Sequence, residues 1–393
     1  MTSNQSESIW SRAFALLCFA EFLGYAQHAV LQPTFPLYIT HLGGSPAVVG
    51  LVIAAFGVLS VVSRPILGYW ADRWSITGIM ILGFLVQAIS LSLCFIPFAG
   101  ATIVANGLRG IGWSRMNTGA NTLLAISAPV ARRSEASGYF GAAQAAATVL
   151  LPAAALWIIE AHYGGFHGAF IVAMSLVCMG AAAAYVLSRE IASRPRPPHA
   201  ELTQSWWREI ISVFDRSILV PAALAFLLFL SLTCLSSFII LYARQFGVRY
   251  FGWYYVVIGA TSMLARPLLG RVADKIGCGH SLVAAFSLQT IALLIVPAIT
   301  NLPGAMIAGA LYFTGSAIGG ARILALAIEN APAERRARAL ASFSAAFPLS
   351  NGAGGLLYGL VVDLAGYTWM YTVAAGLCAV GLVVTAKNWT SLK

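Results

Sequence analysis

Long apolar runs follow one another from end to end of this chain, separated by short polar joints. Twelve stand out, at 13–38, 46–69, 77–97, 101–127, 138–159, 166–187, 217–241, 248–270, 279–299, 303–328, 339–362 and 367–386. Each is near the ~20 residues a helix needs to cross a bilayer, with ends good to about three residues. Hydrocarbon offers no partner to a backbone N–H or C=O, so such segments must be helices. The alternating pattern of a barrel strand is absent. The pattern predicts an all-α membrane protein with twelve transmembrane helices. One joint, 188–216, is far longer than the rest and contains SRPRPPHAELTQSWWRE. Its prolines and charges exclude a span. It is expected to be a cytoplasmic linker with a short surface helix, Trp206 and Trp207 lying at the membrane interface. The helices then form two bundles of six, over 1–187 and 217–393.

Composition agrees with this class. The chain is 59% hydrophobic and 9% charged, against about 25% charged in an ordinary soluble domain, and its mean hydropathy is +0.82. The net charge of +10 raises the question of nucleic acid, but its distribution answers it. With the N-terminus placed inside, cytoplasmic segments hold 18 of the 23 Lys and Arg, and the outer joints hold only Arg244 and Arg249. That bias sets orientation in membrane proteins, so both termini are expected in the cytoplasm and the basic charge is no nucleic-acid patch. The first apolar run spans about 26 residues and has no clear small-residue cleavage site, unlike a secretory signal. Six cysteines form no CxxC pair and no His-rich cluster accompanies them, so neither disulfides nor a metal is expected.

The chain also repeats itself. SRPILGYWADRW at 63–74 returns as ARPLLGRVADKI at 265–276, sharing Arg, Pro, Leu, Gly, Ala and Asp in register. LYITHLG at 37–43 returns as LYARQFG at 241–247, Gly50 and Gly57 as Gly252 and Gly259, APVARR at 128–133 as APAERR at 331–336, and Glu160 as Asp363. A constant offset of 202 to 204 marks a duplication. A parallel repeat places its halves about an axis normal to the membrane, with a site between them near the midplane.

At this point the chain resembles the major facilitator superfamily, over essentially its whole length. That family carries Gly-x-x-x-Asp-Arg-x-Gly-Arg-Arg between its second and third helices. Gly68, Asp72 and Arg73 match; Ser75 and Ile76-Thr77 depart from it. The second copy supplies Gly270, Asp274, Lys275 and Gly277. The resemblance implies an alternating-access secondary transporter, and no enzyme: no nucleotide loop, metal spacing or nucleophile–base set appears. It further implies that the pairs Asp72–Arg73 and Asp274–Lys275, with Glu135 beside Arg132 and Arg133 and Glu334 beside Arg335 and Arg336, close the cytoplasmic side as inter-bundle bridges. Exposed pairs of this kind are worth about 0–1 kcal/mol each, which suits a gate that must open every cycle. Gly68 and Gly270 allow close packing at those helix ends.

Charges inside the membrane cost roughly 2.5–3.5 kcal/mol each on insertion scales, so each demands a reason. Glu21, Tyr25, His28 and Gln32 form one polar stripe on the first helix, and Arg109, Trp113, Asn117 and Asn121 another on the fourth. LRGIGW at 108–113 resembles the family's helix-4 motif, whose arginine works beside a helix-1 acid in proton-driven members. Glu21 and Arg109 fit those coupling roles; a fixed ion pair between the two helices is the alternative. Desolvation favours a neutral carboxyl and a nearby arginine favours an ionised one, so a movement that alters either can load or release a proton. Tyr25, His28, Gln32, Trp113, Asn117, Asn121 and Arg322 are expected to line the substrate cavity. Arg115 lies about 240° around the helix from Arg109, so it serves either substrate or a neighbouring helix. Arg322 serves substrate or pairs with Glu329.

The family's exporter signature in the fifth helix survives only in part: Gly138, Gly141 and Pro152 are present in GYFGAAQAAATVLLPAAALW, while alanines fill the later glycines. The reading is a proton-coupled antiporter exporting small amphipathic or organic compounds. Its alternative is a symporter taking up a small organic anion. It is expected to work as a monomer in a bacterial-type cytoplasmic membrane, without cofactor, driven by the proton gradient.

Overall fold

The computed structural model describes residues 9–71, 75–127, 132–160, 164–191, 219–329 and 336–389. These residues form the helices α1 Arg12–His41, α2 Pro46–Ala71, α3 Ile76–Ser92, α4 Ala99–Ser127, α5 Arg133–Glu160 and α6 Gly165–Ile191. They continue as α7 Leu219–Gln245, α8 Gly252–Ile276, α9 Cys278–Ile295, α10 Leu302–Glu329, α11 Arg336–Ala365 and α12 Tyr367–Lys387. The protein is all-helical and multi-pass. Ten of these helices are long and apolar enough to cross a membrane, among the described residues. The other two are α4, whose apolar run is broken by Asn106, Arg109, Arg115, Asn117 and Asn121, and α8, whose last turns hold Arg266, Arg271, Asp274 and Lys275.

Several helices outrun their apolar segments: α5 starts at 133 rather than 138, and α8 continues to 276 rather than 270. A helix keeps its own backbone paired, so leaving the hydrocarbon gives it no reason to stop. Residues 188–191, expected in the linker, are the last turn of α6; the rest of that linker, with Trp206 and Trp207, lies outside the described residues.

The sequence repeat reappears in the contacts. α1 and α7 both end on a left-handed glycine, Gly43 (φ 79°) and Gly247 (φ 63°), a conformation that a side chain would oppose. Tyr38 and Tyr242 then repeat one bond. The first donates to the Cys94 carbonyl at 3.2 Å and the second to the Pro297 carbonyl at 3.1 Å, each in the short 3-10 turn that follows α3 or α9.

The repeated glycines have a different use. Gly50 and Gly57 on α2 lie against the backbone of Gly355, Gly359, Pro348 and Gly352 on α11. Gly252 and Gly259 on α8 lie against Trp157, Val149 and the Thr148 carbonyl on α5; a Cβ at Gly259 would stand 2.6 Å from Val149 Cα. Small residues let backbones approach where lipid supplies no hydrophobic drive. Two seams, α2–α11 and α5–α8, thereby join the first six helices to the last six. Both run through the end of the molecule away from the chain termini, here the far end; the end carrying residues 9 and 389 is the near end. Ser45, in the α1–α2 joint, donates to Asp363 Oδ2 on α11 at 2.9 Å at the far rim.

Candidate functional site

Three successive turns of α1 and the middle of α4 build a polar patch inside the first six helices. Arg109 is its centre, 4% exposed. Its Nε donates to Asn106 Oδ1 at 2.8 Å and its Nη1 lies 3.0 Å from His28 Nδ1. Asn106 in turn donates to the Val52 carbonyl of α2 at 2.7 Å. The guanidinium stands over two rings, 4.5 Å from the centroid of Phe56 and 5.5 Å from that of Phe35. Such contacts are worth more when desolvated, as here. A guanidinium cannot shed its charge under ordinary conditions, so this charge is held by neutral dipoles and π faces. With Arg109 donating, His28 Nδ1 is the acceptor and its ring is the neutral tautomer protonated at Nε2.

Trp113 joins the stripes. Its ring lies 4.7 Å from Tyr25 and 4.6 Å from His28 between centroids. Tyr25 donates to Asn117 Oδ1 at 3.3 Å. Asn117 and Asn121 each donate to the carbonyl one turn back, those of Trp113 and Asn117. Tyr25, His28, Gln32, Trp113 and Asn117 are half-buried and Asn121 is exposed, whereas most of α1 is fully buried.

Glu21 sits apart. Seven residues before His28, it is about 10.5 Å lower along the helix axis. It shares no hydrogen bond or ion pair with Arg109. Its Oε1 accepts from Gln144 Nε2 of α5 at 2.8 Å, its Oε2 has no partner, and it is 0% exposed. A carboxyl wholly out of water, facing one neutral amide, is a group whose charge nothing nearby neutralises. The ion pair between α1 and α4 considered from sequence is therefore not formed.

The remaining candidates scatter. Arg115 is half-buried on another face of α4, its Nε buried without a partner. Arg322 reaches Glu329 of its own helix at 3.9 Å, the pairing that is the alternative to a substrate role. Asp72, Arg73, Glu334 and Arg335 lie outside the described residues. Gly68, Gly270 and Asp274 lie within α2 and α8 in stretches whose side-chain surroundings are likewise not described. Lys275 is exposed at the end of α8. Arg132 bonds Glu135 at 2.9 Å across the start of α5.

Sequence reasoning passed over Gln144, Asn106, Phe35 and Phe56. Asn106 carried a signal, an amide one turn before a buried arginine. Gln144 is an uncharged side chain in a run of alanines, and the aromatic residues look like ordinary core.

A family model described as Major Facilitator Superfamily matches residues 17–328 and 223–388. The MFS-type transporter YhhS of Escherichia coli K12 is 26% identical over 93% of this chain and 89% of its own length. The staphylopine export protein of Staphylococcus aureus Mu50 is 20% identical, covering 95% of each chain. A solved POT family transporter, in complex with a thioalcohol-conjugated peptide, superposes with a TM-score of 0.81 over 96% of both chains at 14% identity, a likeness of fold.

Proposed function

Because the chain belongs to the Major Facilitator Superfamily, whose members are membrane transporters and not enzymes, we propose that it is a proton-coupled antiporter that exports small amphipathic organic compounds by alternating access. Twelve helices cross a bacterial cytoplasmic membrane with both termini inside, and one copy of the chain carries the cycle without cofactor. The observation that carries this reading is the Glu21 carboxyl, 0% exposed, with an unpartnered Oε2 and only an amide for company. Such a group is stable in the dry interior when neutral and asks for water or a cation when ionised, so each change of access gives it a reason to take or release a proton. The export protein among the relatives supports the outward direction.

In this reading Tyr25, His28, Gln32, Trp113, Asn117 and Asn121 meet the substrate, and Arg109 is the frame that fixes His28 and Trp113. The uptake of an organic anion would use Arg109, Arg115 or Arg322 as ligand; the Arg109 guanidinium is already engaged by Asn106, His28, Phe35 and Phe56, Arg322 pairs with Glu329, and Arg115 lies on another face of α4. The far-end seams, α2–α11 and α5–α8, are the closed gate of one access state.

The test uses purified protein in proteoliposomes holding a pH-sensitive dye, with a panel of amphipathic dyes added outside. Antiport releases protons in exchange for dye, and an imposed pH gradient drives dye against its own gradient. Glu21→Gln is expected to abolish the gradient-driven movement while leaving dye-for-dye exchange. Unchanged pH dependence of transport in Glu21→Gln removes the residue from the mechanism.

A further inference from the structure

Gln144 is the sole hydrogen-bond partner of Glu21 among the described residues, and its place on α5 gives that bond a second meaning. One turn further along α5, Thr148 and Val149 form the seam with Gly259 of α8: the Thr148 carbonyl would lie 2.9 Å, and Val149 Cα 2.6 Å, from a Cβ at Gly259. Pro152 stands four residues after Thr148. Proline has no N–H to offer the carbonyl one turn back and crowds it, so the helix is weakest where it meets α8. On the other side of Gln144, Gly138 and Gly141 have nothing within 4 Å of an added Cβ, so those faces of α5 are not clamped. Gln144 thus sits at the border between a packed segment and a less constrained one, holding a buried carboxyl.

The amide is suited to follow that carboxyl's proton. An ionised carboxylate only accepts, and Nε2–H serves it; a neutral carboxyl carries an O–H that needs an acceptor, and the amide oxygen supplies one after a half-turn of the side chain. One neutral residue can satisfy both forms, but in two arrangements. Other ionisable groups do not duplicate this contact. Cys18 lies one turn back on α1, half-buried. His28 and Arg109 are engaged with each other two turns on. Among the described residues no salt bridge reaches Glu21 from α4, α5, α6 or α7.

We infer that Gln144 is a positioning residue that transmits the protonation of Glu21 to the α5–α8 seam and so to the far-end gate. This rests on Glu21 being the proton carrier.

The experiment uses the full chain in lipid nanodiscs with no substrate, in a Cys178→Ser background. Spin labels are placed at Ile96 and Leu364, exposed far-end positions on opposite sides of the seams. Their distance is measured by pulsed electron resonance across pH, and the Glu21 carboxyl band is followed by infrared difference spectroscopy. In the parent protein the label distance shifts with pH and the band titrates in step with it. Glu21→Gln removes the band and fixes the distance. Gln144→Leu is expected to keep a titrating band, displaced in frequency and midpoint, while the distance no longer follows pH. Gln144→Asn, which keeps the amide on a shorter arm, restores part of the shift. A Gln144→Leu protein whose label distance still tracks pH as in the parent overturns the inference. A parent distance indifferent to pH, or a Glu21→Gln protein that still responds, overturns the reading of Glu21 beneath it.

Discussion

The first six helices and the last six share a fold and differ inside. The first carries ionisable groups and amides in its interior beside its buried hydroxyls: Glu21, His28, Arg109, Asn106, and Gln27 donating to Gln87 at 2.6 Å. In the second, among the described residues, buried hydroxyls predominate, with the buried amide of Gln289 donating to the Leu228 carbonyl at 3.3 Å. α7 loosens into a π turn at Cys234–Phe238, where Tyr254 donates to the Leu235 carbonyl at 2.7 Å and Tyr255 to the Ser236 carbonyl at 2.9 Å. Tyr312, Tyr358 and Tyr371 are packed around them, fully buried. A π turn frees backbone groups that must be satisfied locally, and the tyrosines do this. The duplication kept what builds the shell, the left-handed glycines, the tyrosine bonds and the seam glycines. It changed the interior, giving one half Glu21, His28 and Arg109 and the other the tyrosines that hold α7 in shape.

That contrast is broken most severely at Arg109. Arg109→Leu leaves buried Asn106 Oδ1 and His28 Nδ1 without donors, each at about 1–3 kcal/mol. Transport is expected to vanish and the melting temperature of the purified protein to fall. Arg109→Lys should not rescue it, because an ammonium lacks the planar fork that reaches Asn106 and His28 while lying against two rings.

Next in size is the shared shell. Gly57→Leu drives a side chain into the Pro348 carbonyl and the Gly352 backbone, neither of which can yield cheaply. Overpacking of this kind costs about 1–3 kcal/mol. Because it strikes a seam, the far end should open: a cysteine at Val362, buried near the far end of α11, is expected to react faster with maleimide, together with lost transport. Equal labelling and flux would mean that the seam is not a gate.

The seam glycines show how much of this was legible. Gly50 and Gly57 with Gly252 and Gly259 are visible in the sequence as a repeat, because a duplication leaves its register in the letters. That α2 meets α11 and α8 meets α5 was not, since partners far apart in sequence are fixed by three-dimensional packing. Helix positions were legible because apolar length is a property of single segments. Glu21 and Arg109 stood out as charges in apolar runs, yet their separation depends on depth and helix rotation that spacing alone fixes only loosely. Gln144 carried no charge and broke no pattern.

The second half is tested at Tyr254. Tyr254→Phe removes one hydroxyl and leaves the Leu235 carbonyl of the π turn unpaired, a loss of about 1–3 kcal/mol. It should lower the melting temperature while leaving the pH dependence of dye transport unchanged. Glu21→Gln is expected to do the reverse, altering pH dependence with little effect on melting. A Tyr254→Phe protein with a displaced pH profile would end the division of labour between the halves.

The smallest effect belongs to the far rim. Ser45 and Asp363 form one exposed hydrogen bond between the two sides. Hydrogen bonds to charged groups reach about 1.5–3 kcal/mol when buried, but water competes for both partners here and screening leaves about 0–1 kcal/mol. Ser45→Ala should therefore leave melting within error. A latch acts on a balance between two access states rather than on folding, and 0.6 kcal/mol is about a 2.7-fold change in such a balance. Faster maleimide labelling of a Val362→Cys reporter, buried in the closed state, is the expected sign, and Asp363→Asn, which keeps an acceptor at the same place, should retain most of the parent rate. If Ser45→Ala and Asp363→Asn both label like the parent, the closed end is held by the glycine seams alone.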